Sequence, residues 1–481
     1  MPRRTKIVAT LGPATDDPQA LDELIQAGVD VVRVNFSHGS AAEHIRRVDA
    51  VRERARVHGR QVGVFADLQG PKIRIERFVS GKVMLVNGAR FVLDSNLGPE
   101  EGTVERVGLT FKALPEDVNR GDTLLLDDGR IVLWVENVYD GEVECRVVIG
   151  GELSNGKGIN RQGGGLSAEV LTDKDRRDIR VAAEMKADYV AVSFPRSADD
   201  IHVARRLLQE AGGHGGIVAK IERAEAINVL EEIITASDVL MIARGDLGVE
   251  IGDAELPAVQ KHIIRVARTH DRVVITATQM MQSMIENPIP TRAEVFDVAN
   301  AVIDGTDAVM LSAETAAGKY PAKAVEAMDR ICAGAERQRI AMETERRSQT
   351  SFARTDEAIA KATMYTANHL GVKAIAALTE SGATPLWMSR ISSGIPIYAL
   401  TRHVETRRKV TLYRGVYPVA FDVTSTDHAE VNRAAIDELM RRGAVRNGDL
   451  VIITKGDLAG VLGGTNAMKI IRVGEHYLDR P

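Results

Sequence analysis

The segment KIERAEA places Lys220 and Glu222 two residues apart on a β-branched run, so their side chains share a face and can meet one ligand. Downstream, IARGDLGVE adds Arg244 and Asp246 at the end of the next such run. Two carboxylates from neighbouring strands make a hard oxygen site for Mg²⁺ or Mn²⁺, which bind through few protein groups and leave positions free for substrate oxygens. The Lys220 ammonium would sit where negative charge builds on a phosphoryl group in transfer. Spacing alone equally allows a structural ion-pair cluster of Lys220, Glu222 and Arg244. Charged residues at the ends of apolar core strands are costly unless paired or used, and four together favour a site.

Two upstream segments carry further polar groups. VVRVNFSHGS supplies Arg33, Asn35, Ser37 and His38, and ADLQGPKIRI supplies Asp67, Lys72 and Arg74. Arginines beside glycine-containing turns suit phosphate. Gly39, Gly70 and His38 also fit plain turns. Downstream, TATQMMQSM and MLSAETAAG offer Thr278, Ser312 and Glu314. These can bind a carboxylate or relay a proton, or serve as ordinary hydrogen-bond partners.

These residues need elements to position them. Eight short apolar runs, KIVAT, VVRVNF, VGVFAD, YVAVSF, IVAKIE, VLMIAR, VVITAT and AVMLS, read as strands of a parallel sheet buried on both faces. Helical periods such as PQALDELIQAG and DIHVARRLLQEAG lie between them. Eight strand-helix units predict a (β/α)₈ TIM barrel. Thr10, Arg33, Asn35, Asp67, Ser193, Lys220, Glu222, Arg244, Asp246, Thr278, Ser312 and Glu314 all fall at or just after the C-terminal end of a run, where such a barrel has its mouth.

The alternation breaks after Asp67 for about a hundred residues of glycine-punctuated hairpin signals, which predict an inserted small β-barrel. Near residue 345 a charged stretch predicts a linker helix, and beyond it five strand runs predict an open α/β domain. The expected domains are residues 1–70 with 169–345, then 71–168, then 346–481. No tandem repeat beyond the strand-helix period is evident.

At 481 residues the chain exceeds one core, so two to four domains are expected. With 62 basic against 67 acidic residues, nothing points to nucleic acid. Two distant cysteines, Cys145 and Cys332, argue against disulfides and fit a reducing cytoplasm. The sequence predicts neither a signal peptide nor a membrane span.

RVNFSHG, LQGPKIR, GGGLSAE, KIERAEA, ARGDLGVE, TATQMMQSM and PTRAEVFDVANAVIDGTDAVMLSAETAAGKYP resemble the motifs of the pyruvate kinases. The resemblance runs from Thr5 to the end of the chain. It implies transfer of a phosphoryl group from phosphoenolpyruvate to ADP, giving pyruvate and ATP in the last step of glycolysis. Glu222 and Asp246 would hold the divalent ion, while Arg33 and Lys220 neutralise the phosphoryl group. The Gly245 amide and Thr278 hydroxyl would meet the substrate carboxylate, and Thr278 and Ser312 would lie on the proton route. Asn35, His38, Arg74 and Lys174 resemble nucleotide-side contacts. The insertion would act as a lid that excludes water.

Many members of that family need potassium, held by residues matching Asn35, Ser37, Asp67 and the Leu68 carbonyl, and usually carry glutamate where this chain has Lys72. The lysine resembles the potassium-independent branch, with its ammonium substituting for the ion. The C-terminal region resembles the family's allosteric effector domain. In its turn TESGATP, the residues Thr379, Ser381, Gly382 and Thr384 can form a phosphate nest or an ordinary helix cap. Glu380 stands where bisphosphate-responsive members often have a basic residue, which favours a phosphorylated sugar (monophosphate) or AMP. A homotetramer is the family expectation. A Mg²⁺-dependent lyase or aldolase, or a silent metabolite sensor, are the alternatives. The lid and Lys220 argue against the first, and the presence of Lys220, Glu222 and Asp246 against the second.

Overall fold

The computed structural model describes residues 2–338, 352–423, 425, 427–457, 460 and 462–475. Eight parallel strands close into a barrel: β1 (Lys6–Thr10), β2 (Val31–Asn35), β3 (Gly63–Asp67), β4 (Tyr189–Val192), β5 (Gly216–Ile221), β6 (Val239–Ala243), β7 (Val273–Ala277) and β8 (Ala308–Leu311). Each strand pairs with the next, and β8 closes onto β1. The expected runs and the observed strands agree to within one or two residues at each end. Nearly every strand residue is buried, because helices cover the outside and side chains fill the interior.

A repeat of two strand-helix units lies at the opposite end from the mouth. The aspartate just before each even strand accepts the amide of the second residue of the odd strand before it. Asp30 takes the Ile7 amide at 2.9 Å, Asp188 that of Val64 at 2.7 Å, Asp238 that of Ile217 at 2.8 Å, and Asp307 that of Val274 at 2.9 Å. The backbone answers in the same register, with each aspartate amide donating to the carbonyl of that same odd-strand residue. Only an Asp-hydrophobic pair recurs in the sequence, so the repeat emerges from the closed sheet.

The insertion contains a six-stranded sheet and a two-stranded sheet around one apolar core. The edges of the larger sheet are joined through single bridges, Arg74 to Gly158 and Ile75 to Leu109. The expected small barrel is thus closed by two bridges in place of a full strand. Both ends of the insertion are tied to one buried side chain: Asp175 accepts the Gly70 amide at 3.0 Å and the Thr172 hydroxyl at 2.6 Å. Thr172 and Asp175 form a capping box, which starts the helix Asp173–Glu184 where the barrel resumes.

The third region is a five-stranded sheet ordered Val416–Ala420, Ile397–Thr401, Ala374–Leu378, Leu450–Gly456 and Thr465–Arg472, the last antiparallel. It covers the end of the barrel away from the mouth. Lys6 Nζ donates to the Val416 carbonyl at 2.6 Å, the Tyr189 hydroxyl donates to the Lys409 carbonyl at 2.7 Å, and Arg390 pairs with Asp307. The expected linker helix falls largely on 339–351, outside the described residues. Among the described residues no helix is long and apolar enough to cross a membrane.

Candidate active site

Lys220 projects from β5 into the mouth and spends its donors on three groups. Its Nζ lies 3.2 Å from Asp67 Oδ1, 2.9 Å from Glu222 Oε1 and 2.7 Å from Ser193 Oγ. Burial works against its charge, but Asp67 and Glu222 more than offset this and push the ammonium well above the ordinary lysine range. Asp67, at the end of β3, is 1% exposed and also accepts from Arg33 Nε at 2.7 Å. Burial alone would raise the Asp67 carboxyl; Lys220 and Arg33 together hold it below the usual range. Arg33 donates as well to Thr10 Oγ1 at 3.2 Å.

Glu222 is equally buried, and its Oε2 accepts the Phe194 amide at 2.8 Å. Burial and the nearby Asp246 raise its carboxyl, against the pull of Lys220. A pair of carboxylates that repel each other in this way suits a dication, which would relieve the repulsion. Among the described residues no cluster of three or more His, Cys, Asp or Glu side chains is arranged for a metal. Asp246 is paired with Lys72, Nζ to Oδ1 at 3.1 Å.

Arg244, grouped with these residues by sequence, turns away. It forms a two-point pair with Asp297 at 2.7 and 2.8 Å and donates to the Thr278 carbonyl at 2.7 Å. Its work is to hold the loop after β7. In that loop Thr278 has φ 67°, an uncommon conformation for a β-branched residue. Its hydroxyl donates to the Ala277 carbonyl at 2.7 Å and accepts the Gly245 amide at 2.8 Å, so Gly245 and Thr278 do meet. Glu314 is a strut: its buried carboxylate accepts the amides of Ser312 at 2.7 Å and Met281 at 3.2 Å, fixing the loops after β7 and β8.

A family model described as "Pyruvate kinase, barrel domain" matches residues 2–325, and one described as "Pyruvate kinase, alpha/beta domain" matches residues 357–471. The chain belongs to the pyruvate kinase family. It is 56% identical over 475 residues to pyruvate kinase II of Salmonella typhimurium, covering 98% of this chain and 99% of that one. It is 54% identical over 458 residues to the pyruvate kinase of Haemophilus influenzae, covering 94% and 96%. Against the pyruvate kinase of Buchnera aphidicola subsp. Acyrthosiphon pisum it is 53% identical over 475 residues, covering 98% and 99%.

In this pyruvate kinase chain the remaining expected residues divide between the mouth and its rim. Asn35 Oδ1 accepts the Ser37 amide at 3.1 Å, a local turn, and His38 is exposed beside it. The Leu68 carbonyl accepts from Ser193 Oγ at 2.8 Å. Lys174 Nζ donates to the Phe36 carbonyl at 2.6 Å and pairs with Asp178 at 2.5 Å, while Arg74 donates to the Gly156 carbonyl at 2.8 Å within the insertion.

Ser193 and Phe194 carry positioning roles that sequence reasoning did not assign: one takes a Lys220 donor, the other's amide holds Glu222. Their segment follows β4 directly. Gly70 packs against it, at φ 67° and with space so small that an added Cβ would lie 2.6 Å from Ser193 Cβ.

In the third domain a cavity of about 400 Å³ opens beside the turn TESGATP. Thr379 Oγ1 accepts the Gly382 amide at 2.9 Å, Ser381 Oγ accepts the Ala383 amide at 3.4 Å, and Thr384 bonds to Thr465 at 2.9 Å. Glu380 pairs with His403 at 2.5 Å and with Arg402 at 3.8 Å. Arg402, His428 and Lys455 bring basic groups to the same cavity.

Proposed function

We propose that Lys220 and Arg33 receive the phosphoryl group of phosphoenolpyruvate and that the chain passes it to ADP, giving pyruvate and ATP. The activity is that of a pyruvate kinase, a phosphotransferase of glycolysis. The observation that carries the assignment of roles is the Lys220 ammonium, buried at the barrel mouth between Asp67 and Glu222. A cation fixed there needs no reorganisation when negative charge moves across the transferring group.

Glu222 and Asp246 would hold Mg²⁺ or Mn²⁺, which supplies charge neutralisation to the substrate oxygens when bound. The Gly245 amide and the Thr278 hydroxyl, now bonded to each other, would turn to the substrate carboxylate. Thr278 and Ser312 lie on the side from which the carbon takes its proton after transfer. Asn35, His38, Arg74 and Lys174 face the nucleotide, and the insertion 71–168 closes to keep water from the phosphoryl group.

Activity requires the divalent ion and not potassium in this reading. Arg33 and Lys220 already occupy the Asp67 carboxylate that a monovalent ion would share with Asn35, Ser37 and the Leu68 carbonyl, and Lys72 brings a fixed positive charge to Asp246. The cavity at Thr379, Ser381, Gly382 and Thr384 would take a sugar monophosphate or AMP, and the active form would be a homotetramer. A coupled assay of pyruvate formation, run with Mg²⁺ in buffers with and without potassium, tests the reaction and the monovalent requirement together. No pyruvate in either buffer refutes the function, and a rate near zero only without potassium refutes the role of Lys72.

A further inference from the structure

The insertion returns to the barrel through the strand Ile159–Arg161 and the run Gly163, Gly164 and Gly165, with φ of 84°, 80° and 89°. This return segment is bonded to barrel side chains that have no part in the phosphoryl transfer described above. Glu250 lies one helical turn beyond Asp246, on the helix Arg244–Ile251, and is 6% exposed. Its Oε2 accepts the amide of Ala224, two residues past Glu222, at 2.9 Å. Its Oε1 accepts from Asn160 Nδ2 at 3.4 Å, and its carbonyl accepts the Gly163 amide at 3.1 Å.

Two neighbours extend the contact. Glu225 Oε2 accepts the Gly165 amide at 3.1 Å, and Arg223 donates to the Leu166 carbonyl at 2.9 Å and to Glu225 at 3.3 Å. The Arg223 guanidinium also lies 5.5 Å from the ring centre of Phe194, whose amide holds Glu222. The seat favours glycine, since Gly164 has φ 80° and a Cβ there would come within 1.8 Å of Glu225 Oε2 and displace that carboxylate. Burial raises the Glu250 carboxyl to about 7 against the pull of the Ala224 amide.

We propose that Glu250, working with Glu225 and Arg223, is a positioning latch that couples closure of the lid to the placement of the carboxylates Glu222 and Asp246. The coupling rests on the metal-binding reading of that pair. One carboxylate grips the lid's return strand and the loop after Glu222, from the same helix that carries Asp246. Movement at any of the three is felt at the other two.

Hydrogen exchange over residues 159–168 tests the latch in the full chain without added metal, comparing the natural sequence with Glu250→Gln and Glu250→Ala. Loss of the side chain that ties Asn160 to the Ala224 amide is expected to loosen the return segment and speed exchange there ~10-fold or more in Glu250→Ala. Glu250→Gln, which keeps one acceptor oxygen, should change less. With Mg²⁺ and substrates, Glu250→Ala should lower kcat and raise the Mg²⁺ concentration giving half the maximal rate, and Glu250→Gln should recover most of both.

Unchanged exchange over 159–168 in Glu250→Ala overturns the latch. Faster exchange with natural kcat and Mg²⁺ dependence overturns the coupling. Loss of protection spread over the whole barrel in both variants marks a merely structural residue and also overturns it. Because exchange is read without metal or substrate, failure of the latch is separable from failure of the functional reading.

Discussion

Lys72 Nζ lies 3.1 Å from Oδ1 of Asp246, so the first residues of the insertion are joined by charge to a carboxylate at the barrel mouth. The ammonium comes from the insertion, and it meets one of the two carboxylates proposed for the divalent ion. Three cations, Arg33, Lys72 and Lys220, therefore face three carboxylates, Asp67, Glu222 and Asp246.

Replacing that ammonium by a carboxylate leaves two negative groups where one was paired. Lys72→Glu is expected to cut the potassium-free rate ~100-fold, with potassium restoring most of it, since the lost charge is a local electrostatic contribution of a few kcal/mol. The measurement is pyruvate formation at saturating Mg²⁺ across a potassium titration. A variant equally slow at every potassium concentration contradicts the substitute-charge role.

Lys220 pairs with both buried carboxylates, Asp67 and Glu222. Lys220→Met should lower kcat by ~10³-fold or more, the scale of losing one preorganised charge in the transition state. The fold should survive, because Arg33 continues to pair with Asp67. Steady-state rates and a melting curve on the same preparation check both halves.

Asp30 and Asp188 occupy equivalent places in the repeat and titrate in opposite directions. At Asp30 burial is overcome by Arg3, Lys6 and Arg60, and the carboxyl is lowered. At Asp188 burial prevails over the Val64 amide, Arg408 and Arg52, with Glu405 adding to it, and raises the carboxyl to about 7. A raised folded-state value means that the stabilisation is fully present below about pH 4 and is lost as pH rises through about 7. The upper bound on that loss is on the order of 4 kcal/mol. Asp188→Asn keeps an acceptor for the Val64 amide and should remove this dependence, so its Tm should gain on that of the natural chain between about pH 5 and about pH 8. Parallel Tm curves would show that Asp188 does not titrate as assigned.

In the third domain Ser381→Asp places a carboxylate in the turn that would receive a phosphate. Activation by sugar monophosphates or AMP is expected to fall by at least ~10-fold in apparent affinity through like-charge repulsion. Titrating each candidate activator against both proteins checks it, and unchanged activation locates the effector elsewhere.

Local pattern determined much of this protein. Apolar runs ending in polar residues announced the strands and the barrel end at which Lys220, Glu222, Asp246 and Thr278 gather, because a buried parallel strand tolerates charge only at its ends. Motif spacing also marked the insertion and the turn at Thr379. Which charged groups pair was settled by tertiary structure. Arg244 stands two residues before Asp246 yet turns to Asp297, Ser193 becomes the third acceptor of Lys220, and Lys72 crosses from the insertion to Asp246. Such pairings join strands and loops far apart in the chain, so no local period can encode them. The balance of burial against partners, which raises Asp188 and lowers Asp30 from one sequence pattern, exists only once the barrel has closed and its far end is covered.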